Sequence, residues 1–327
     1  MTHGPAINNA HMPMTAHHHG PLGSNGAPKR IVVVGSGGRL GRALVELLEP
    51  AHQVIGFDRR QLDLGSMRSI TAALAGLDYD HLYLTGALTA VDYCETHEAE
   101  AFAANAEGPA RIAEISARKR AHVTYISTDM VFGGSKPEPY VESDQPDPVS
   151  VYGASKLAGE TRVLNTSAGN LVARVSWLFG PGRPAFPEWI IDKACSESKL
   201  TLPEDKICCP TYTLDLVGWL ASLVTARPDG PAAGVFHLCN SRPCSWLEWG
   251  QFCLDTARAV GFPVVAAQIA GVPVASVPAF VAKRPPNSAL STEKFTTLTG
   301  IRPRNWTEAL RAFVQLSAAL PEFGLPT

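Results

Sequence analysis

Tyr152 and Lys156 stand four residues apart in the run Pro148-Val149-Ser150-Val151-Tyr152-Gly153-Ala154-Ser155-Lys156. On a helix that spacing sends both side chains to one face. An ammonium held beside a phenol favours the phenolate, so Lys156 is expected to make Tyr152 a better acid than a free tyrosine, whose pKa is about 10. Upstream, Ser127-Thr128-Asp129 follows the apolar run His122-Val123-Thr124-Tyr125-Ile126. That places Thr128 at the end of a strand, with its hydroxyl free to reach the same oxygen as Tyr152. Two donors aimed at one carbonyl oxygen is what ketone reduction requires: one stabilises the developing charge and one delivers the proton. A lone Tyr-x-x-x-Lys is common on ordinary exposed helices, so the pair gains meaning only from its surroundings.

Those surroundings begin with a glycine loop. Ile31-Val32-Val33-Val34 reads as a buried parallel strand. Gly35-Ser36-Gly37-Gly38-Arg39-Leu40-Gly41 follows at once, and residues 42–48 have helical character. Strand, glycine turn and helix form the context of a dinucleotide site. Gly35 permits the turn, Gly38 lets backbone approach a pyrophosphate, and Gly41 lets helix and strand pack closely. The phosphates would meet the free N–H groups of the helix N-terminus. A second strand, Gln53–Phe57, ends at Asp58, twenty residues beyond Gly38, where a carboxylate accepts ribose hydroxyls. Arg59 and Arg60 come next, and an arginine there holds a 2′-phosphate. The cofactor expected is therefore NADP(H), with NAD(H) also accepted.

The elements that must position these residues are legible more coarsely. Strands are expected at 82–84, at 122–126 and at 171–175. Helices are expected at 99–118, with Phe102, Ile112 and Ile115 buried, and at 211–224, 245–260 and 306–316. The alternation predicts an α/β fold, a Rossmann-type doubly wound parallel sheet with a smaller C-terminal substrate lobe. The dinucleotide-binding domain is expected over residues 29–175, continued by 211–240, and the substrate-binding lobe over 176–327, with ligand between the lobe and the carboxyl ends of the strands. Asp215 and His237 read as structural. The apolar stretch 262–282 is broken by Pro263, Pro273 and Pro278, so it reads as buried strand and pocket-lining loop, not a membrane span.

Of 327 residues, 45% are hydrophobic and 18% charged, enough for a sizeable core. A net charge of −2 gives no footing for a nucleic-acid or anionic-membrane partner. Seven cysteines, an odd number with no C-x-x-C pair, point to a reduced, cytoplasmic protein. Cys208, Cys209, Cys239 and Cys244 lack the spacing of a zinc knuckle, and no metal is expected. The first 28 residues carry no Lys, Arg, Asp or Glu and half of the ten histidines. They read as a disordered leader.

Taken together, Gly35-x-x-Gly38-x-x-Gly41, Ser127-Thr128-Asp129, Tyr152-x-x-x-Lys156 and Arg174-Val175-Ser176-Trp177 resemble the dTDP-4-dehydrorhamnose reductase family, extended short-chain dehydrogenase/reductases. Thr89-Ala90-Val91-Asp92, Asn105-Ala106-Glu107-Gly108-Pro109, Pro210-Thr211-Tyr212 and Arg284-Pro285-Pro286-Asn287-Ser288 match its pattern as well, and the resemblance runs from about Lys29 nearly to the C-terminus. It implies NAD(P)H-dependent reduction of the C4 ketone of a nucleotide-linked 4-keto-6-deoxyhexose, foremost dTDP-4-dehydro-L-rhamnose to dTDP-L-rhamnose. It implies a catalytic trio of Thr128, Tyr152 and Lys156. Gly38, Arg39 and Leu40 match the pyrophosphate loop, Asp58 the ribose contact, and Asp63 and Leu64 the adenine side. Ala87, Leu88 and Thr89 match a turn beside the nicotinamide. Thr89, Val91, Asp129 and Trp177 match positions around the sugar, with Met130 where the family usually has tyrosine. The partners implied are the nucleotide sugar and, as one assembly, a second copy in a homodimer. Two further departures are Asp205-Lys206-Ile207-Cys208 in place of Asp-Gln-x-Gly, and Leu84 in place of asparagine. A sugar-nucleotide dehydratase needs a Glu base after Thr-Asp, and Met130 stands there instead. A regulatory subunit, similar to the β subunit of methionine adenosyltransferase, is the reading from a different class.

Overall fold

The structure is a computed structural model that describes residues 27–225, 230–277 and 280–319. All but the last two residues of the expected leader, and Pro278, lie outside the described residues. Six parallel strands form the central sheet, in the spatial order Gln53–Phe57, Arg30–Val34, His81–Leu84, His122–Thr128, Leu171–Val175, Gly234–His237. The inner strands are apolar and buried on both faces, as parallel strands covered by crossover helices must be. One face packs Leu44 and Leu48 of the helix Arg39–Leu48 with Leu216, Leu220 and Val224 of the helix Thr213–Val224. The other face packs Ile112 and Ile115 of Gly108–Arg118, with Val163 of Val151–Thr166. The sheet is thus wound on both sides, and the Rossmann-type architecture is the one observed. Strand direction reverses its progress at Arg30–Val34, which lies between Gln53–Phe57 and His81–Leu84. The crevice at such a switch point is where these sheets take ligands.

A separate aromatic core lies beyond the strand ends. Ile190 and Ile191 of Phe186–Ser196 meet Trp249, Cys253 and Leu254 of Trp246–Ala259, closed by Leu310 and Phe313 of Trp306–Ala319. Ser245 caps its helix through a reciprocal pair with Glu248, 3.0 Å one way and 2.7 Å the other.

The structure corrects four expectations. The helix expected over 99–118 is Glu98–Phe102, then a π-helical turn Ala103–Glu107, then Gly108–Arg118. Phe102 on it is half-buried, because the wider turn rotates it off the core face. Residues Thr211–Tyr212 are a short strand paired with Leu178–Phe179, and the helix begins at Thr213. Among the described residues of 262–282 only Ile269–Val272 is strand, and it is largely exposed where a buried strand was expected, whereas Val274, Val277, Phe280 and Ala282 do line a cavity. All seven cysteines are free thiols.

Candidate active site

The glycine loop is built from backbone contacts that admit no side chain. Gly35 has φ +95°, and a Cβ there would stand 2.5 Å from the Gly86 nitrogen. A Cβ on Gly41 would stand 2.2 Å from the Gly35 carbonyl oxygen. Gly38 caps the helix with no side chain of its own, so the first N–H groups of Arg39–Leu48 face outward. This cradle fits a dinucleotide pyrophosphate. Leu40 does not face it: its side chain is buried in the core beneath the sheet. The Arg39 side chain also turns away, donating from Nη1 to the Leu178 carbonyl at 2.7 Å and from Nη2 to the Arg183 carbonyl. These two residues therefore offer backbone to a ligand, and Arg39 ties the loop to the Leu178–Arg183 segment.

Beside the loop a cavity of about 350 Å³ brings together Gly35, Arg59, Asp63, Leu64, Ala87 and Leu88. The cavity also takes Glu100, Ala103 and Ala104, which the sequence reading missed. They lie on the helix Glu98–Phe102 and on the π-helical turn that follows it, and a single-sequence pattern carries no signal that this segment borders the cavity. Asp58 closes the turn after its strand, accepting the N–H groups of Arg60 at 2.8 Å and Gln61 at 3.0 Å on Oδ1.

Asn105, buried inside the π turn, is the other residue missed as a site element. Its Oδ1 accepts Leu88 N–H at 2.8 Å, and its Nδ2 donates to the Leu88 carbonyl at 3.0 Å and to Ser155 Oγ at 3.1 Å. Tyr125 Oη donates to the Asn105 carbonyl at 2.7 Å. One amide thus locks the turn carrying Ala87 and Leu88 to the helix carrying Tyr152 and Lys156.

Thr128 ends its strand, its Oγ1 donating to Asp129 Oδ1 at 3.0 Å and accepting Met130 N–H at 3.2 Å, and it stands beside the Tyr152 phenol on Val151–Thr166. Both side chains are buried. Burial raises the Tyr152 pKa above the tyrosine range, the neighbouring Thr128 hydroxyl pulls it down, and Asp129 and Cys94 raise it again. Lys156 behaves differently from expectation. Its ammonium donates to the Ile126 carbonyl at 2.7 Å and lies 3.9 Å from the centroid of the Tyr125 ring. Burial lowers its pKa to about 7, opposed by Glu160. Lys156 is absent from the groups that set Tyr152 in this state, because its head is satisfied one residue pair back along the strand.

The helix is bolted down one turn further on. Glu160 accepts Arg174 Nη2 at 2.7 Å and Nε at 3.0 Å, and Ser127 Oγ donates to it as well. Arg174 Nη1 lies 3.5 Å from His237 Nε2, and His237 is held neutral, its pKa lowered to about 3 by burial. Ser127, Arg174 and His237 are register neighbours on three adjacent strands. His237 is a structural residue here, as is Asp215, which takes Arg304 on both oxygens at 2.8 and 2.9 Å.

Around the open side stand the residues expected near a sugar. Met130 packs with Tyr152 and Val91 in a small apolar cluster, and Thr89 is exposed beside it. Trp177 has a left-handed backbone, φ +43°, strained for a bulky residue. Its ring lies 4.5 Å from that of Trp246 and 6.2 Å from that of Trp249. Trp246 in turn meets Phe280 at 5.8 Å. Phe280 and Arg284 line a second cavity of about 400 Å³, which Val149 borders just before the Tyr152 helix. Across the crevice, Asp92 accepts Val281 N–H and Ala282 N–H at 2.9 Å each and Arg284 Nη2 at 2.7 Å.

Residues 29–318 match the family described as RmlD substrate binding domain. The spore coat polysaccharide biosynthesis protein SpsK of Bacillus subtilis is 32% identical over 287 residues, which is 88% of this chain and 97% of that one. The dTDP-4-dehydrorhamnose reductase of Sinorhizobium fredii is 30% identical over 288 residues, 87% of this chain and 96% of that one. The solved dTDP-4-dehydrorhamnose reductase of Bacillus anthracis in complex with NADP superposes with a TM-score of 0.81 at 28% identity, over 88% of this chain and 99% of that one.

Proposed function

Because the chain belongs to the dTDP-4-dehydrorhamnose reductase family, that of the RmlD substrate binding domain, we propose that it catalyses the NADPH-dependent reduction of the C4 ketone of a nucleotide-linked 4-keto-6-deoxyhexose. The leading substrate is dTDP-4-dehydro-L-rhamnose and the product dTDP-L-rhamnose. The observation that carries this is the Thr128–Tyr152 hydroxyl pair at a strand end, with Lys156 one helical turn on. The cofactor, when bound, supplies the hydride. Tyr152 delivers the proton to O4, and its phenol becomes a usable acid only when its ionised form is stabilised, since burial alone opposes that. Thr128, whose proton lies on Asp129 in the ligand-free protein, turns to share the hydrogen bond to O4 and limits charge build-up there. Lys156 holds the ribose and adds positive charge beside the phenol. Trp177 covers one face of the sugar, bordered by Thr89, Val91, Asp129 and Met130. Arg59 reaches a 2′-phosphate from the cavity wall it shares with Glu100, and NAD(H) is accepted more weakly.

Residues 29–175 with 211–240 form the dinucleotide-binding part and 176–327 the substrate lobe in this reading, working in the cytoplasm as a homodimer. No helix among the described residues is long and apolar enough to cross a membrane. The regulatory-subunit reading is not favoured, since relatives that align over most of this chain are dTDP-4-dehydrorhamnose reductases. The test is a single-turnover reaction with enzyme in excess over dTDP-4-dehydro-L-rhamnose, followed by loss of NADPH and, in parallel, NADH absorbance. Conversion supports the assignment. NADPH binding with no reduction across dTDP-, UDP- and GDP-linked keto-sugars overturns it.

A further inference from the structure

Asp129 is 3% exposed and adjoins Thr128 in sequence. Its carboxylate takes three hydroxyl donors: Thr128 Oγ1 at 3.0 Å on Oδ1, with Ser176 Oγ at 2.7 Å and Ser288 Oγ at 2.6 Å on Oδ2. Hydroxyls satisfy its lone pairs but not its charge, and a buried carboxylate needs a counter-charge. Lys206 supplies one. Its side chain is 1% exposed, and Nζ donates to Ser288 Oγ at 3.0 Å and to the Ile207 carbonyl at 3.3 Å. Ser288 spends its single proton on Asp129 when it accepts from Lys206. The hydrogen bonds then run one way, from Lys206 through Ser288 to Asp129, where the Thr128 proton also ends.

We propose that Lys206 is a positioning residue for the reduction: it is the counter-ion that keeps Asp129 ionised, and ionised Asp129 fixes the direction of the Thr128 hydroxyl beside Tyr152. The assignment rests on the reductase reading above and adds to it a residue from outside the strand and helix that carry the reacting groups. Burial, the largest effect, lowers the Lys206 pKa, and Asp129 works against it by favouring the charged ammonium. The other titratable groups facing this pair are Tyr152, the thiols of Cys208, Cys209 and Cys239, and Arg284, which is itself paired with Asp92. The thiols carry no positive charge, and Arg284 is already committed, so among the described residues Lys206 is left to balance Asp129.

Two substitutions separate charge from hydrogen bonding. Lys206→Gln removes the charge and keeps a donor; Lys206→Met removes both. The acid limb of the kcat–pH profile is expected to move up by at least one pH unit in each, with NADPH affinity within twofold of the parent. A residue that merely fills space would lower kcat evenly and leave the limb in place. The second readout is the Asp129 carboxyl ¹³C titration in the ligand-free protein, assigned with Asp129→Asn; its midpoint is expected to rise by the same amount. That readout needs no turnover, so it decides the Lys206 assignment even where the parent enzyme reduces no keto-sugar and the reductase reading falls. An unmoved Asp129 midpoint in a folded Lys206→Met protein overturns the proposal. Should both Lys206 variants fail to fold, Ser288→Ala cuts the same path; an upward shift of the Asp129 midpoint supports the proposal and an unchanged one overturns it.

Discussion

Tyr152 and Thr128 touch in the folded chain, and their division of labour makes a sharp kinetic prediction. Tyr152→Phe keeps the ring in its apolar cluster with Met130 and Val91 and deletes only the proton donor. We expect kcat to fall by about 10²–10⁴-fold with NADPH affinity within twofold, read by single-turnover absorbance and by fluorescence titration; turnover equal to the parent would remove Tyr152 from the mechanism. Lys156 yields a second prediction, of opposite sign for stability and activity. Its folded pKa of about 7 lies below the ordinary lysine value of 10.5, so between those limits the unfolded chain binds more protons and stability rises with pH. Lys156→Met relieves that penalty. It should raise the thermal midpoint of the ligand-free protein at pH 7, with a gain on the order of 1 kcal/mol that shrinks as pH approaches 10, while reduction is lost. A midpoint difference independent of pH would show that the amine is not desolvated. Arg59→Ala should weaken NADPH more than NADH, since a charged hydrogen bond to a 2′-phosphate is worth roughly 1.5–3 kcal/mol; equal losses in paired binding titrations would place Arg59 outside the phosphate site. The spacing of Tyr152, Lys156 and Thr128 was readable in the chain because chemistry fixes residue type. The destination of the Lys156 head and the outward turn of Arg39 were not, because both are set by carbonyls far away in sequence, of Ile126, Leu178 and Arg183.

The π-helical turn Ala103–Glu107 decides the geometry of the cofactor side, yet nothing in its composition separates it from ordinary helix. A period-3.6 pattern predicts one long helix there, and the structure interrupts it so that Asn105 can reach Leu88 and Ser155 while its carbonyl takes Tyr125. Gly159 makes room for this: a Cβ on it would stand 2.1 Å from the Asn105 carbonyl oxygen. Asn105→Ala strands the Leu88 N–H and carbonyl in a partly buried setting, at a cost of about 1–3 kcal/mol. The expected outcome is a lower urea midpoint together with weaker NADPH binding, because the same amide shapes the cavity. A stability loss with unchanged cofactor affinity would separate the two roles. Five of the six strands of the central sheet, by contrast, were legible almost residue by residue, since short apolar runs between glycine turns and helices have few other fates. The edge strand Gly234–His237 escaped notice although the helix Thr213–Val224 precedes it, because it is four residues long and only Val235 and Phe236 in it are apolar.

At the level of the whole molecule, the reactive face lies between the sheet's strand ends and the aromatic core of residues such as Trp249 and Phe313. One ion pair closes the far side of that crevice, Asp92 with Arg284, and Asp92 also holds two N–H groups of the same segment. Asp92→Asn should raise KM for the sugar nucleotide by about 2–5-fold, the upper range for a partly exposed pair, and leave NADPH affinity unchanged; a changed cofactor affinity with unchanged KM would show that the clamp serves the other pocket. The sequence disclosed that a second lobe exists through its separated motifs, but not that Arg284 and Asp92 meet, since pairings across such a span leave no local pattern. The same distance in sequence shapes how the protein is made. Leu171–Val175 leaves the ribosome as a bare, mostly apolar sheet edge, and its neighbour Gly234–His237 is synthesised only after the Phe186–Ser196 and Thr213–Val224 helices. At 5–20 residues per second the edge stays unpaired for several seconds, open to pairing with any other strand nearby. Expression at lower temperature or with extra chaperone should therefore raise the soluble yield far more than the stability of the finished fold would lead one to expect.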